Sequence, residues 1–261
     1  MRIVTFASGS TGNCSLITEG GTNILIDAGI SMRRTLAALE QLGLAPRELS
    51  GVLITHEHSD HISGLNMLVK HHNIKIFAPE ALCCVLAKMK PQIADNLNCI
   101  SEDDKTDFGD IAVGCFRTPH DAAYSVGYRF EGESTIAYAT DTGHISDELV
   151  RGLEGAQLAL IESNHDPEML RTGPYPHYLK QRILSPEGHL SNYDSGKLAL
   201  HLAKSGTKHI ILGHLSRENN TPELAYKTVS DAISTEKAEI SVAPMNNLLA
   251  VTVGERVKCS V

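Results

Sequence analysis

The sequence predicts an α/β fold, an αββα sandwich in which two packed β-sheets carry helices on their outer faces. Both halves of the chain begin with short apolar runs that are typical of buried strands, such as Gly51–Thr55 in the first half. Helical stretches lie between them, as at Met32–Leu42, which is bounded by the capping residue Ser31 and the terminating Gly43. No linker or short-period repeat interrupts the chain, so we expect residues 1–261 to form a single domain.

The individual elements follow from hydrophobic period, turn residues and helix caps. Period-2 and short apolar runs predict strands at Arg2–Phe6, Cys14–Thr18, Asn23–Asp27, Gly51–Thr55, Lys75–Ala78, Ile111–Arg117, Tyr124–Phe130, Thr135–Thr140, Gln157–Glu162, His209–Gly213, Glu239–Ala243 and Leu248–Val253. Helical periods predict helices at Met32–Leu42, Ile62–Lys70, Pro79–Lys88 and Pro222–Ile233, and one after Ser191 that ends near Gly206. The proline-containing segment Asn164–Gly188 is expected to be irregular.

Composition restricts the class of protein. Hydrophobic content of 42% and charged content of 21% are ordinary for a globular protein. The six cysteines form no C-x-x-C pair, which favours free thiols over a disulfide framework. Neither a signal-peptide core nor a run of about 18 apolar residues is present. We therefore expect a cytoplasmic protein that does not span a membrane.

The net charge of −8 argues mildly against nucleic-acid binding, because a polyanion would be repelled by it. Formal charge omits bound metal, however. Two divalent cations would add roughly +4 at the place where a substrate binds. The charge therefore does not exclude a nucleic-acid substrate.

The segment Thr55–His61 carries the strongest chemical signal in the sequence. It reads T-H-E-H-S-D-H and directly follows a buried strand. Imidazole and carboxylate ligands suit zinc, manganese or iron. A loop with four such residues in six positions can direct His56 and His58 toward one metal and Asp60 and His61 toward another. The alternative is a polar surface loop. The regular placement of His56, His58, Asp60 and His61 after the strand favours a site for two metals.

Two metals need further ligands, and three later strands supply candidates. His120, Asp141 and His214 each follow a predicted strand. Any one of them alone would be an ordinary polar residue at a strand end. Together with the first cluster they form a set of ligands.

The complete H-x-H-x-D-H pattern with a later His, Asp and His resembles the metallo-β-lactamase superfamily. The resemblance implies that His56, His58 and His120 hold one metal and that a second is held by Asp60, His61 and His214. It implies that Asp141 bridges the two, with a water or hydroxide between the metals as nucleophile. Asp27 matches the early aspartate of the superfamily, and we expect it to orient the metal-binding loop. An aspartate at position 141 argues against a β-lactamase, in which a cysteine usually fills that place.

Glu162 ends a predicted strand, and His189 precedes a predicted helix. The pair resembles the glutamate and histidine of transfer-RNA 3′-processing endonucleases of the same fold. A carboxylate raises the pKa of a neighbouring histidine, which can then protonate a leaving oxygen. The alternatives are a salt bridge for Glu162 and a helix-start residue for His189. With Asp60, these are the predicted catalytic residues.

Several longer segments resemble the YycJ (VicX, WalJ) group of the superfamily. They are 7–14, 162–166, 173–176, 188–192 and 213–220, and together the resemblance covers nearly the whole chain. It implies a 5′-to-3′ exonuclease acting on double-stranded DNA. Competing hypotheses are a small-molecule thioester or cyclic phosphodiester hydrolase, and a regulatory binding protein with a vestigial metal site. The sequence is also compatible with a homo-oligomer.

Substrate contacts are expected from small, polar and basic residues near the ligands. The predicted phosphate contacts are Ser8, Ser10, Asn13, Ser216, Arg217 and Asn219. A basic wall is predicted from Arg171, Lys180, Arg182 and Lys197, although a solvated charged face is the simpler alternative. His165 is a further candidate for the site because it follows Glu162 closely, and His144 is the nearest of the remaining histidines.

Overall fold

Within the described residues, two seven-stranded mixed sheets form the centre of the protein, and the predicted αββα sandwich is confirmed. The computed structural model describes residues 1–255. The first sheet has the order β14-β1-β2-β3-β4-β5-β6, formed by Arg2–Ala7 (β1), Cys14–Glu19 (β2), Thr22–Ile26 (β3), Gly51–Leu53 (β4), Ile76–Pro79 (β5), Leu97–Ile100 (β6) and Leu249–Thr252 (β14).

The second sheet has the order β13-β12-β11-β10-β9-β8-β7. Its strands are Thr106–Asp107 (β7), Ala112–Arg117 (β8), Val126–Glu131 (β9), Thr135–Ala139 (β10), Leu158–Glu162 (β11), His209–Gly213 (β12) and Glu239–Val242 (β13). Strands β10, β11, β12 and β13 run parallel to one another, whereas β9 is antiparallel to both β8 and β10. The carboxyl ends of β8, β10, β11 and β12 therefore lie at one edge of the sheet.

Helices cover both outer faces. They are Met32–Gln41 (α1), Ser59–Ile62 (α2), Leu65–His72 (α3), Glu80–Met89 (α4), Asp147–Leu153 (α5), Pro167–Thr172 (α6), His177–Ile183 (α7), Asn192–Lys204 (α8) and Pro222–Ala232 (α9). As expected, Ser31 caps α1 by accepting a hydrogen bond from the backbone of Arg34.

The strands divide the core into three layers because alternate side chains point to opposite faces. In β3, Ile24 and Ile26 pack between the sheets against residues such as Tyr128, whereas Leu25 faces the helices. On the other side, Ile161 and Leu212 pack under the helices of the second sheet. Strands buried on both faces explain the uninterrupted apolar runs in the sequence.

Some predicted elements were wrong. The segment Asn164–Gly188 is not irregular throughout, because it contains α6 and α7. The predicted helix Ile62–Lys70 is interrupted between α2 and α3, where a side chain at Gly64 would lie 2.2 Å from the carbonyl oxygen of Ile30. Strands β6 and β7 and helix α5 were not predicted.

The cysteines of the described chain are free thiols, as expected, and none of Cys14, Cys83, Cys84, Cys99 and Cys115 forms a disulfide. The sixth, Cys259, lies outside the described residues. Across residues 1–255, no helix is both long enough and apolar enough to cross a membrane.

Candidate active site

The candidate site lies at one edge of the sandwich, where strands of both sheets end. Asp27 follows β3 and His56 lies three residues beyond β4, on the side of the first sheet. On the side of the second sheet, His120, Asp141 and His214 follow β8, β10 and β12. The fold therefore brings together side chains that are up to 187 residues apart in sequence, from Asp27 to His214.

The first group of possible ligands contains His56, His58 and His120. One ring nitrogen from each of them lies within 4.8 Å of the others. The rings of His56 and His58 meet edge to face with centroids 4.7 Å apart, and His120 lies 5.0 Å from both. Three nitrogens converging in this way match the ligand set of a single divalent cation.

A second group contains Asp60, His61 and His214, again with ligand atoms within 4.8 Å of one another. Asp141 lies between the groups. Its Oδ2 is 3.2 Å from His61 Nε2 and 3.2 Å from His214 Nδ1, and its Oδ1 is 3.8 Å from His120 Nε2. One carboxylate therefore reaches both groups, as expected for a bridging ligand.

Several of these polar atoms are buried without a hydrogen bond. His56 Nε2, Asp141 Oδ2 and His214 Nδ1 find no hydrogen-bond partner within the described chain. Buried polar atoms without partners are costly, and a cation at their centre would satisfy them. Burial, followed by the neighbouring His61, lowers the pKa of His56 well below its usual range, which favours the neutral ring that binds metal. The residues thus fit divalent cations.

Asp27 supports this cluster from behind. His61 Nδ1 donates a hydrogen bond of 2.7 Å to Asp27 Oδ2, and the backbone and hydroxyl of Thr55 donate to the same carboxylate. Burial opposes a charged His61 ring, but Asp27 and Asp141 outweigh it and raise the pKa of His61 well above its usual range. The carboxylate fixes which ring nitrogen of His61 faces the cluster.

The backbone bends sharply at three of the site residues. Asp27, Asp141 and His214 adopt left-handed conformations, with φ values of 59°, 56° and 54°. Non-glycine residues rarely adopt this conformation, and it is common at functional sites. The bend directly follows β3 and β12 and lies two residues beyond β10, so it occurs where each chain segment leaves its sheet for the cluster.

The predicted acid pair is also formed. His189 Nδ1 donates a hydrogen bond of 2.7 Å to Glu162 Oε1, and Glu162 Oε2 accepts hydrogen bonds from the backbones of Thr142 and Leu190. Burial opposes the charged ring of His189, but Glu162 outweighs it and raises the pKa of His189 to about 9. The ring stacks at 5.3 Å from His214, so His189 adjoins the cluster of possible ligands.

A cleft of about 210 Å³ opens over the cluster. Predicted residues on its wall are Ser10, His58, Asp60, Asp141, His189, His214 and Ser216. Sequence reasoning missed Asn164, Tyr175, Leu179 and Ile183, which also line it. The apolar spacing of Leu179 and Ile183, four residues apart on α7, was the signal available for the last two.

The predicted phosphate contacts divide into two sets. Ser10 and Ser216 line the cleft. The hydroxyl of Ser8 accepts a hydrogen bond from the backbone of His214, and the fully buried Asn13 amide lies 2.9 Å from His61 Nε2. These two side chains contact the predicted ligands, which favours a positioning role over contact with substrate.

The remaining predicted contacts lie away from the wall of the cleft. Arg217 is exposed, and Asn219 is fully buried, with its amide donating a hydrogen bond to the Ser216 hydroxyl. His144, which was not among the predicted phosphate contacts, is exposed and donates a hydrogen bond to the carbonyl of Pro186. Contact of Arg217 and Asn219 with a phosphate stays a prediction from the sequence.

The predicted basic wall is largely neutralised. Arg171 forms an ion pair with Glu168, and Lys197 forms one with Asp194. Lys180 donates hydrogen bonds to two backbone carbonyls, those of Arg171 and Gly173. Arg182 lines the cleft and forms a two-pronged ion pair with Asp121, which itself lies 3.4 Å from His120 Nε2. Of the four cations, Arg182 is therefore the one that a substrate in the cleft would meet.

Comparison with known proteins defines the class of this chain. A model described as the beta-lactamase superfamily domain matches residues 22–215. The chain belongs to this superfamily, whose metallo-β-lactamase fold implies bound divalent metal at the cluster described above.

Particular relatives are closer in sequence. The chain is 41% identical over 229 residues to Exodeoxyribonuclease YycJ of Bacillus anthracis, covering 87% of each protein. It is 39% identical over 232 residues to Exodeoxyribonuclease WalJ of Streptococcus pneumoniae strain D39, covering 87% of this chain and 86% of the relative. The crystal structure of the metallo-beta-lactamase fold protein YhfI from Bacillus subtilis superposes with a TM-score of 0.73 at 18% identity, over 96% of this chain and 99% of that one. The resemblance to the YycJ and WalJ group is thereby confirmed.

Proposed function

We propose that this protein is a dinuclear-metal phosphodiesterase that removes nucleotides from double-stranded DNA in the 5′-to-3′ direction. The observation that carries the proposal is the Glu162–His189 pair, set beside a cluster that fits two cations. Hydrolysis of a phosphodiester needs both an activated water and a proton for the leaving oxygen. The two relatives named exodeoxyribonucleases support DNA as the substrate.

The metal ligands divide between two cations, for which zinc, manganese and iron are all suitable. His56, His58 and His120 would hold one, Asp60, His61 and His214 would hold the other, and Asp141 would bridge them. Bound there, the cations would lower the pKa of water toward 7 and polarise the phosphodiester. Asp27 keeps His61 in the tautomer that presents Nε2 to the cluster.

His189 supplies the proton for the leaving oxygen. Because its Nδ1 is held by Glu162, the opposite nitrogen, Nε2, is free to donate. The pKa of about 9 keeps the ring charged at neutral pH, so that the proton is present when the phosphorus–oxygen bond breaks. Glu162 stabilises the imidazolium that results and fixes its orientation.

One further candidate function follows from the size of the cleft. A volume of about 210 Å³ also suits a small cyclic phosphodiester. A thioester hydrolase is less well supported, because the Glu162–His189 acid pair resembles that of nucleases. Assay of both small substrates beside duplex DNA separates these functions.

The number of domains, the cellular location and the oligomeric state of the protein are also proposals. Residues 1–261 would form one domain, because β1 and β14, from opposite ends of the described chain, pair in one sheet. A DNA substrate fits the cytoplasmic location expected from the sequence. A homo-oligomer stays a prediction that size-exclusion chromatography with light scattering would test.

The direct test is digestion of a 5′-phosphorylated, end-labelled duplex in the presence of manganese. We expect mononucleotides to be released from the 5′ end, and Asp60→Ala to abolish release. Asp104→Ala, at an exposed aspartate that belongs to neither group of possible ligands, is the matched control. Absence of digestion under manganese, zinc and iron, or digestion unaffected by Asp60→Ala, would refute the proposal. Fewer than one metal ion per chain would instead favour a vestigial site.

A further inference from the structure

His165 is a buried histidine that the proposed reaction does not use. Its side chain is 1% exposed, and neither ring nitrogen finds a hydrogen-bond partner in the described part of the chain. Burial lowers the pKa of His165 to about 4, against the opposing effect of Glu162, so the ring is neutral at pH 7. A neutral imidazole has one donor and one acceptor, and leaving both unused is costly.

His165 lines a groove that adjoins the cleft over the metal ligands. The groove has a volume of about 270 Å³, and its walls include Pro167, Leu184 and Tyr193. His189 lines both the groove and the cleft, so its ring separates them. Any substrate group directly beyond the proton donor would enter this groove.

We propose that this groove, which we call the His165 groove, binds the base of the nucleoside whose oxygen leaves. The proposal rests on the proposed function. In 5′-to-3′ cleavage, hydroxide adds to phosphorus and the P–O3′ bond breaks with its electron pair moving to O3′. His189 transfers its proton to that oxygen. The departing 5′-terminal nucleoside is therefore held next to His189, on the side away from the phosphorus.

The chemistry of the groove suits a base and does not suit a phosphate. Among the residues that line the groove, Asp194 pairs with Lys197 and the charged ring of His189 is already paired with Glu162, so neither offers an unpaired cation to a phosphate. Tyr193 is 63% exposed, and the Lys197 ammonium lies 4.5 Å from the centroid of its ring, so a base would stack on the face opposite Lys197 or displace that side chain. Leu184 and Pro167 add apolar walls. Because His165 is only 1% exposed, its ring would have to turn toward the groove for one of its two unpartnered nitrogens to meet the polar edge of the base.

The size of the groove agrees with this assignment. Sites for drug-sized ligands typically have volumes of about 300–1,000 Å³. A volume of about 270 Å³ is suited to one base with part of its sugar. Stacking is tolerant of sequence because every base has a flat face, so the groove would accept all four nucleotides.

The test compares release of the first nucleotide from two duplexes under single-turnover conditions. One duplex has an ordinary 5′-terminal nucleotide, and the other has a tetrahydrofuran residue, which lacks the base, at the same position. The readout is the ratio of the two rates. For the unaltered protein we expect the ordinary end to react about tenfold faster or more, because stacking of the base would be lost at the other end.

Paired variants separate a role in binding from a role in folding. Tyr193→Ala and His165→Leu should bring the ratio close to one. Tyr193→Phe, which keeps the ring, and His165→Gln, which keeps a donor and an acceptor, should preserve most of it. Because Tyr193 is exposed, its substitution tests the proposal even if His165→Leu does not fold. His201→Ala, at an exposed histidine on α8, is the control and should leave the ratio unchanged.

The outcomes are distinct. A ratio near one in the unaltered protein would overturn the proposal while leaving the nuclease function intact. Equal loss of both rates in Tyr193→Ala would also overturn it, since that pattern reports a structural role. Failure to digest either duplex would refute the nuclease function itself, and this proposal with it.

Discussion

His189 Nδ1 lies 2.7 Å from Glu162 Oε1, and the carboxylate that accepts this hydrogen bond is itself 1% exposed. A buried glutamate held by two backbone amides can neither move away from the ring nor be replaced by water. Glu162 is the neighbour that raises the pKa of His189 most, ahead of Asp141 and Asp121, so one substitution at Glu162 should alter the charge state of the ring.

The first prediction concerns pH. With the pKa of His189 at about 9, kcat should fall as the pH rises through about 9, because the proton is lost. Glu162→Gln removes the charge that raises this pKa, so the fall should occur at lower pH, nearer the ordinary histidine value of about 6.5. A pH profile of kcat for both proteins measures the shift. Identical profiles would show that His189 is not the acid.

The same pair affects stability in a defined pH range. The pKa of His189 is higher in the folded protein than the ordinary value, so the charged ring stabilises the fold. This contribution is complete below about pH 6.5 and is lost as the pH rises through about 9. Denaturant unfolding across this range should show a smaller pH dependence in Glu162→Gln.

The second prediction concerns the leaving group. His189→Ala should slow DNA cleavage by about 10²–10⁴-fold, as is typical for loss of a general acid. Bis(p-nitrophenyl) phosphate releases a nitrophenolate that needs no proton, so its hydrolysis should fall much less. Steady-state rates on both substrates measure the difference, with His71→Ala, at an exposed histidine of α3, as the control. Equal losses on the two substrates would contradict the assigned role.

The third prediction concerns Asp27. Asp27→Asn keeps the shape of the side chain but removes the charge that holds His61 Nδ1–H. Loss of such a partner typically weakens metal affinity by about 10–100-fold. Competition with a chromophoric chelator measures the affinity, and Asp95→Asn, at an exposed aspartate, serves as the reference. Unchanged affinity would mean that Asp27 does not position the ligand.

The fourth prediction concerns metal removal. Without metal, one buried polar atom of each of His56, Asp141 and His214 has no hydrogen-bond partner in the described chain. A bound cation would stabilise the folded state, so its removal by a chelator should lower Tm. A cation at 100 times its Kd adds about 2.7 kcal/mol to the free energy of unfolding. Thermal unfolding with and without manganese measures the change. His56→Ala should reduce the response, and a Tm insensitive to manganese, zinc and iron would argue against the site.

The fifth prediction concerns Gly29, where the ligand loop meets the loop after β3. A Cβ at this position would lie 1.6 Å from the carbonyl oxygen of Asp60 and 2.7 Å from the backbone nitrogen of Asn13. Gly29→Ala should therefore cost about 1–3 kcal/mol or more and displace the ligand loop. Gly114→Ala, where a Cβ meets only ordinary contacts, is the matched control. Denaturant unfolding and metal titration report the two effects.

The ligand set could be predicted because each ligand follows an apolar run that forms a strand. His120, Asp141 and His214 needed only the position of the preceding strand to be recognised. The sequence does not predict helices α6 and α7, because proline inside a segment ordinarily interrupts a helix. Pro167 instead occupies the first position of α6, and Pro176 directly precedes α7, where the absent amide hydrogen costs nothing.

Other features depend on contacts that local sequence does not encode. The hydroxyl of Ser8 binds the backbone of His214 across 206 residues, so its positioning role depends on how the two sheets pack. The groove around His165 likewise joins residues from three separate segments, including Tyr193 and Leu184. The hydrophobic period of the sequence predicts the strand and helix layers of the sandwich. The contacts among the loops that form the site depend on tertiary packing.

The left-handed turns at Asp27, Asp141 and His214 imply that the thermal stability of the metal-free fold is traded against the capacity of the site to bind metal. Each such turn costs of order 1–3 kcal/mol in a non-glycine residue. Glycine at position 141 or 214 would relax the chain and make the metal-free protein more heat-resistant, at the expense of a ligand. A screen for thermostable variants that ignores turnover would accordingly select against Asp141 and His214, the two of these residues that we propose as metal ligands.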